Sequence, residues 1–308
     1  MIDRHQLTAA NEFAARLPAH PGAPIRRAFL LRADPGEPAP LNTLMSSRSG
    51  AGGGRGGKQR LALLLTALWV NSREPHSSQR AASWWADMIG VPNPRGRAAT
   101  RSVKANFEEL AVRGFIDLVP GKAGYPATIT LRTELGSRET YTRPHLDTHP
   151  NYFRIPETLW TRDSLIGKLD ARGLAMYLIL LSYYNARTGA ETWFSDSSFR
   201  SRHGAAEATR LNGLNQLVNL GVATMRQEFP DAPTNAGYRT IKRRYYALDP
   251  VFSPPQIEPK ESALQPRGAE PARETSGSSF RRPAGESSPF FLSPADADSP
   301  RGEQGRFV

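Results

Sequence analysis

The stretch Arg101-Ser-Val-Lys-Ala-Asn-Phe-Glu-Glu-Leu-Ala-Val-Arg-Gly-Phe-Ile116 reads as a helix that stops at a glycine and runs directly into a strand. On a wheel of 100° per residue, extended back to Arg97, it gathers Ala99, Val103, Phe107 and Leu110 on one narrow stripe. That stripe must face a core. Arg97, Arg101, Lys104 and Glu108 fall on the other side, so three cations crowd the first two turns. Gly114 supplies the left-handed residue that commonly ends a helix. Beyond it, Phe115 to Val119 has the apolar, β-branched content of a strand. Pro120 to Pro126, with Lys122, is a turn-rich loop, and Ala127 to Leu131 alternates like a second strand.

Upstream, Gln59 to Asn71 predicts a strongly apolar helix. Another follows near Ser78–Ile89, with Ser77 or Ser78 as N-cap and Gly90-Val-Pro-Asn-Pro94 as its stop. Residues 58–135 therefore form a block of three helices and a hairpin. Residues 150–250 repeat it. Tyr152–Ile155 is a lead-in strand and Asp170–Asn185 an apolar helix. Glu191–Phe194 is a short strand, and Ser195–His203 is a helix capped by Ser195 or Asp196. A third helix, Ala205–Leu220, ends at Gly221, and Val222–Gln227 and Tyr238–Leu248 close the block. Leu110 and Gly114 recur as Leu217 and Gly221 at the same offset of 107, and Phe107 recurs as Leu214. Two copies of one supersecondary unit explain this economically.

Three helices followed by a β-hairpin is the order of a winged helix, whose third helix enters the DNA major groove. The segment Arg101–Ile116 resembles the recognition helix and following strand of bacterial winged helix-turn-helix proteins. So does Thr209-Arg-Leu-Asn-Gly-Leu-Asn-Gln-Leu-Val-Asn-Leu-Gly-Val222. The chain is similar over about 180 residues to the tandem winged-helix proteins of high-GC Gram-positive bacteria and their mobile elements, and plasmid replication initiators share that fold. The resemblance implies an α+β protein, mainly helical with small hairpins. Its parts would be an N-terminal extension and Gly-rich linker (1–57), a first winged helix (58–135), a linker (136–149), a second winged helix (150–250) and a tail (251–308).

In the first copy Arg97, Thr100, Arg101 and Lys104 on the helix and Lys122 on the hairpin loop are the candidate DNA contacts. Cations at the start of a recognition helix sit where bases are read. In the second copy Leu211, Leu214, Leu217 and Val218 form the core stripe, and Arg210 sits closer to that stripe than to the exposed side. The candidates there are Thr209, Asn212 and Gln216, since Asn and Gln can pair with adenine edges. The closing strand adds Arg239, Lys242, Arg243 and Arg244 for phosphate contact, with alternation sending Arg239 and Arg243 to one face and Lys242 and Arg244 to the other.

The charge agrees. The 308 residues carry 40 Lys+Arg against 29 Asp+Glu, a formal net charge of +11. The excess lies on every segment except the tail, where 7 basic residues meet 8 acidic ones. A basic body suggests a polyanionic partner. There is no cysteine, which excludes a disulfide scaffold, a thiol nucleophile and Cys-ligated metal sites. Met1-Ile-Asp-Arg-His lacks the apolar stretch of a signal peptide, and Leu61–Val70 is too short to span a bilayer. Cytoplasmic, nucleoid-associated placement is expected.

Several motifs are set aside. Gly52 to Lys58 satisfies G-x4-G-K, but Gln59 replaces the Mg²⁺-binding hydroxyl, so the run reads as a flexible linker. His145, Asp147 and His149 are spaced like metal ligands but lie between Pro144 and Pro150 with no fourth ligand. Ser197 and His203 lack an orienting carboxylate. Of Trp84 and Trp85, at least one ring belongs in the core. The tail, with 9 Pro and 9 Ser in 58 residues, reads as disordered, and Phe290-Phe-Leu292 is an apolar island within it. The expected function is sequence-specific double-stranded DNA binding by a transcriptional regulator, with self-association, no catalysis and no cofactor. A plasmid or mobile-element replication initiator and a winged-helix protein-interaction scaffold are the alternatives.

Overall fold

The computed structural model describes residues 8–17, 22–47, 55–122, 124–144, 151–184, 189, 191–234 and 237–254. Its N-terminal segment contains α1 (Thr8–Ala15), β1 (Ala23–Arg26), a 3-10 turn (Arg27–Leu30) and α2 (Pro40–Met45). Next come α3 (Arg55–Val70), β2 (Ser77–Gln79), α4 (Ala82–Met88), α5 (Arg97–Val112), β3 (Ile116–Val119) and β4 (Thr128–Leu131). After β5 (Tyr152–Ile155) and the short helices α6 (Thr158–Thr161) and α7 (Leu165–Lys168) come α8 (Ala171–Tyr183), α9 (Asp196–His203) and α10 (Glu207–Asn219). The described chain finishes with β6 (Ala223–Glu228), β7 (Asp231–Thr234), β8 (Gly237–Thr240), β9 (Arg243–Leu248) and a 3-10 turn at Pro250–Phe252. The architecture is α+β, with ten α-helices and small antiparallel sheets among the described residues.

The first block runs helix, strand, helix, helix, strand, strand, and its sheet has the order β2-β4-β3. In the second block β6 pairs with β9, and Thr192 forms a bridge to Tyr246 on the other edge of β9. The order around α8, α9 and α10 is therefore similar, with the Thr192 bridge in place of a strand and β7 and β8 added as a hairpin. The helix ends match in detail. The Phe115 N–H reaches the Leu110 carbonyl at 3.0 Å, the Gly114 N–H reaches Ala111 at 3.1 Å, and Gly114 has φ 83°. The equivalent bonds run from Val222 to Leu217 at 2.9 Å and from Gly221 to Val218 at 3.0 Å, with φ 69° at Gly221. Both are Schellman closures with buried apolar residues on either side of the glycine.

Local propensity decided most boundaries, and long-range pairing decided the exceptions. Ser77 and Ser78 do not cap α4. Their backbone is taken by β4, with Ser77 opposite Thr130 and Ser78 opposite Ile129. The N-cap position of α4 falls to Ala81, with no side-chain cap. Ser195 does cap α9, accepting the Ser198 N–H at 3.3 Å, and Asp170 caps α8 through Gly173 at 2.7 Å. The expected strand Tyr238–Leu248 is broken at Ile241 and Lys242, where the Ile241 N–H turns to the Pro230 carbonyl at 2.9 Å. Within the segment expected to be an extension, Ala23–Arg26 pairs with β5, and Arg27–Leu30 winds into the 3-10 turn. Helix α3 begins inside the Gly-rich run. Gly57 permits this, since a Cβ there would lie 2.6 Å from the Met45 carbonyl oxygen.

The described residues form one compact unit around one core. Trp69 at the end of α3 stacks on Trp160 of α6, with centroids 4.5 Å apart. The Trp160 indole N–H donates to Thr66 Oγ1 at 2.9 Å, and Lys58 Nζ donates to the Gly167 carbonyl at 2.6 Å. Ile25, Phe29, Leu30, Leu41 and Leu44 of the N-terminal segment are buried in the same core. Most of the Gly-rich run, the His145–Asp147–His149 group and almost all of the tail with Phe290–Leu292 lie outside the described residues. No helix among those described is long and apolar enough to cross a membrane.

Candidate nucleic-acid interface

Helix α5 is fixed before any of its cations is considered. Ala99, Val103, Phe107 and Leu110 are buried, as the wheel requires, and Phe107 meets Trp85 edge-on at 5.2 Å. Trp85 is the core ring of its pair. Trp84 is half-buried against Phe13. A polar seam sets the rotation of α5 on α3. Asn106, which is buried, donates to Gln59 Oε1 at 3.0 Å and to the Ser102 carbonyl at 2.8 Å, and the Ser102 hydroxyl donates to the same Gln59 oxygen. The sequence reading missed this seam, although Gln59 is a conspicuous polar residue on an apolar helix.

Arg97, Arg101 and Lys104 are exposed on the face opposite that seam and stripe. No hydrogen bond or ion pair engages their side chains among the described residues. Thr100 is half-buried, and its hydroxyl donates to the Gly96 and Arg97 carbonyls at 3.2 and 3.1 Å, so it secures the first turn. Lys122 is exposed at the tip of the β3–β4 hairpin. Between the start of α4, the face of α5 and that hairpin runs a groove of about 650 Å³, whose lining includes Arg80, Thr100, Lys104, Phe107, Tyr125 and Ile129. Tyr125 is 72% exposed at its rim, and Arg80 lies over the Trp84 ring at 5.4 Å. Neither was singled out from sequence, and a tyrosine set among Gly and Pro in a loop was the available signal.

The second block does not reproduce this arrangement. Arg210 is buried and committed, paired with Asp196, donating to the Phe194 carbonyl at 3.1 Å and lying over the Phe199 ring. Thr209 is half-buried in a cavity between α2 and α8. Gln216 turns inward, and its Oε1 accepts the Asp170 N–H at 3.1 Å. Asn212 alone of the three helix candidates is exposed. Arg243 stacks over Trp193 at 4.7 Å, Arg244 is half-buried and Lys242 is exposed. Arg239 lies in β8, and its side chain is outside the described residues. Arg226 is held by Glu191 at 3.0 Å and by Glu228, whose carboxyl it keeps below the usual carboxylate range.

Among the described residues no group of His, Asp and Glu side chains has the arrangement of a metal site. Compared with known proteins, the chain matches no family model, no curated protein and no solved structure.

Proposed function

We propose that the chain is a sequence-specific double-stranded DNA-binding protein built from two winged-helix units, acting as a transcriptional regulator at the nucleoid. The order of three helices and a closing antiparallel strand pair, seen in both blocks, supports the fold reading. One observation carries the function. Arg26, Arg60, Arg113, Arg132, Arg210 and Arg226 are all tied into the protein by hydrogen bonds. Arg97, Arg101 and Lys104 are not, although they share one face of one rigid helix. Uncommitted cations at the start of such a helix suit a phosphate-lined groove with base edges at its floor.

Fluorescence anisotropy on duplexes selected from a random library tests the reading. Arg101→Ala should cost about 1–3 kcal/mol on the selected site and relax preference at one position. Unchanged affinity in the Arg97/Arg101/Lys104 triple alanine variant overturns it. The same recurring order of elements also suits a replication initiator. Directly repeated sites among the selected sequences favour the initiator, and a palindrome favours the regulator.

A further inference from the structure

A second concentration of uncommitted positive charge lies where the 3-10 turn after β1 meets the C-terminal ends of α8 and α9. Arg27, Arg32 and Arg202 surround a cleft of about 330 Å³ there, with Leu31, Ser182 and Tyr183 completing its lining. Among the described residues no carboxylate lines it. Arg27 is half-buried and has no hydrogen bond or ion pair from its guanidinium among the described residues. Burial lowers its pKa, and the one interaction that opposes the shift is with the Tyr183 phenol. Arg32 uses Nε on the Glu37 carbonyl at 2.8 Å, and among the described residues neither of its terminal amino groups has a partner. The Arg202 side chain is exposed and has no partner among the described residues, while its carbonyl accepts the Arg32 N–H at 2.9 Å.

The walls are firmly held. His203 Nδ1 donates to the Leu30 carbonyl at 2.9 Å, and its Nε2 lies 3.2 Å from the Tyr183 hydroxyl. Asn42 donates to the His203 carbonyl at 2.7 Å. Three guanidiniums are thus brought together with no carboxylate among the described residues that line the cleft. The negative end of the α9 dipole accounts for Arg202 by itself. It does not account for Arg27 and Arg32, which come from another part of the chain. Half-burying a guanidinium without a counter-ion is unfavourable, and an oxyanion bound between planar donors relieves that cost.

We propose that this cleft is a phosphate-binding site, occupied by a backbone phosphate of bound duplex or by a free phosphoester. The duplex source rests on the DNA-binding reading above; the free source does not. The test compares the full chain with its Arg27→Gln/Arg202→Gln variant in two measurements. One is thermal unfolding in pyrophosphate against chloride at matched ionic strength. The other is affinity for a random-sequence duplex over a series of salt concentrations.

A pyrophosphate-dependent rise in Tm that the variant lacks supports the free source. A loss of about fivefold or more in duplex affinity, with a salt slope flatter by about one to two, supports the backbone source. Wild-type Tm indifferent to pyrophosphate, together with unchanged duplex affinity and slope in the variant, overturns the site. If the wild type binds no duplex, the DNA reading fails and the thermal measurement alone decides the cleft. Should the double variant not fold, Arg202→Gln alone, at an exposed side chain, serves both measurements.

Discussion

Glu134 is fully buried, yet it accepts the Arg26 backbone N–H at 2.8 Å and the Arg26 guanidinium at 2.7 Å. Removing one member of such a pair leaves the other without its partner, so Glu134→Ala should cost about 3–5 kcal/mol in urea unfolding. Glu134→Gln keeps one acceptor and should cost less. His203 gives a different signature. Burial, opposed by its bond to Leu30 and aided by nearby Arg202, holds its pKa below the ordinary 6.5. The unfolded chain then binds the proton more readily, so stability is lost as pH falls from about 6.5 through the folded value. Unfolding midpoints between pH 7.5 and 5 should decline less steeply in His203→Asn than in wild type. At this scale the sequence is least informative. The wheel sets Arg210 beside the core stripe, but it does not show that Asp196 and the Phe199 ring hold it there.

The paired helix ends separate conformational strain from packing. Gly114 and Gly221 both have φ in the left-handed region, where an L side chain costs about 1–2 kcal/mol. At Gly221 a Cβ would meet nothing within 4 Å, whereas at Gly114 it would lie 2.9 Å from the Gly136 carbonyl oxygen and 2.7 Å from Arg138 Cγ. Gly221→Ala should therefore cost about 1 kcal/mol and Gly114→Ala distinctly more, both read from denaturant midpoints. Equal losses would mean that packing at Gly114 relaxes freely. Elements whose cause is local were legible: the stripe on α5, the cap of α9, and the glycines that close α5 and α10. Strand β2 was not, because three residues, Ser77–Gln79, have no pattern of their own and extend only when β4 passes alongside. Gln216 was misjudged for a related reason. A helix wheel shows which side a residue takes, but the Asp170 N–H that receives Gln216 comes from another helix.

Across the whole molecule, the recurring order of helices and strand pairs was legible and the single core around them was not. Each repeat carries its own apolar stripes, but nothing in sequence indicates that Trp69 will stack on Trp160 or that Arg26 will seek Glu134. The N-terminal segment, expected to be an extension, binds both halves: Arg26 reaches Glu134, and Asn42 reaches the His203 carbonyl. A core shared in this way should melt as one. Calorimetry should give a single transition whose calorimetric and van't Hoff enthalpies agree. Trp160→Ala removes the ring stacked on Trp69 and the bond to Thr66, a loss of about 3–5 kcal/mol. In a unit of this size that corresponds to a fall of roughly 10 °C in Tm. The variant's transition should move as a whole, because the ring lies between the halves and supports both. If it instead splits, with one half melting early and the other at the wild-type temperature, the repeats are independent units and the shared core contributes no cooperativity.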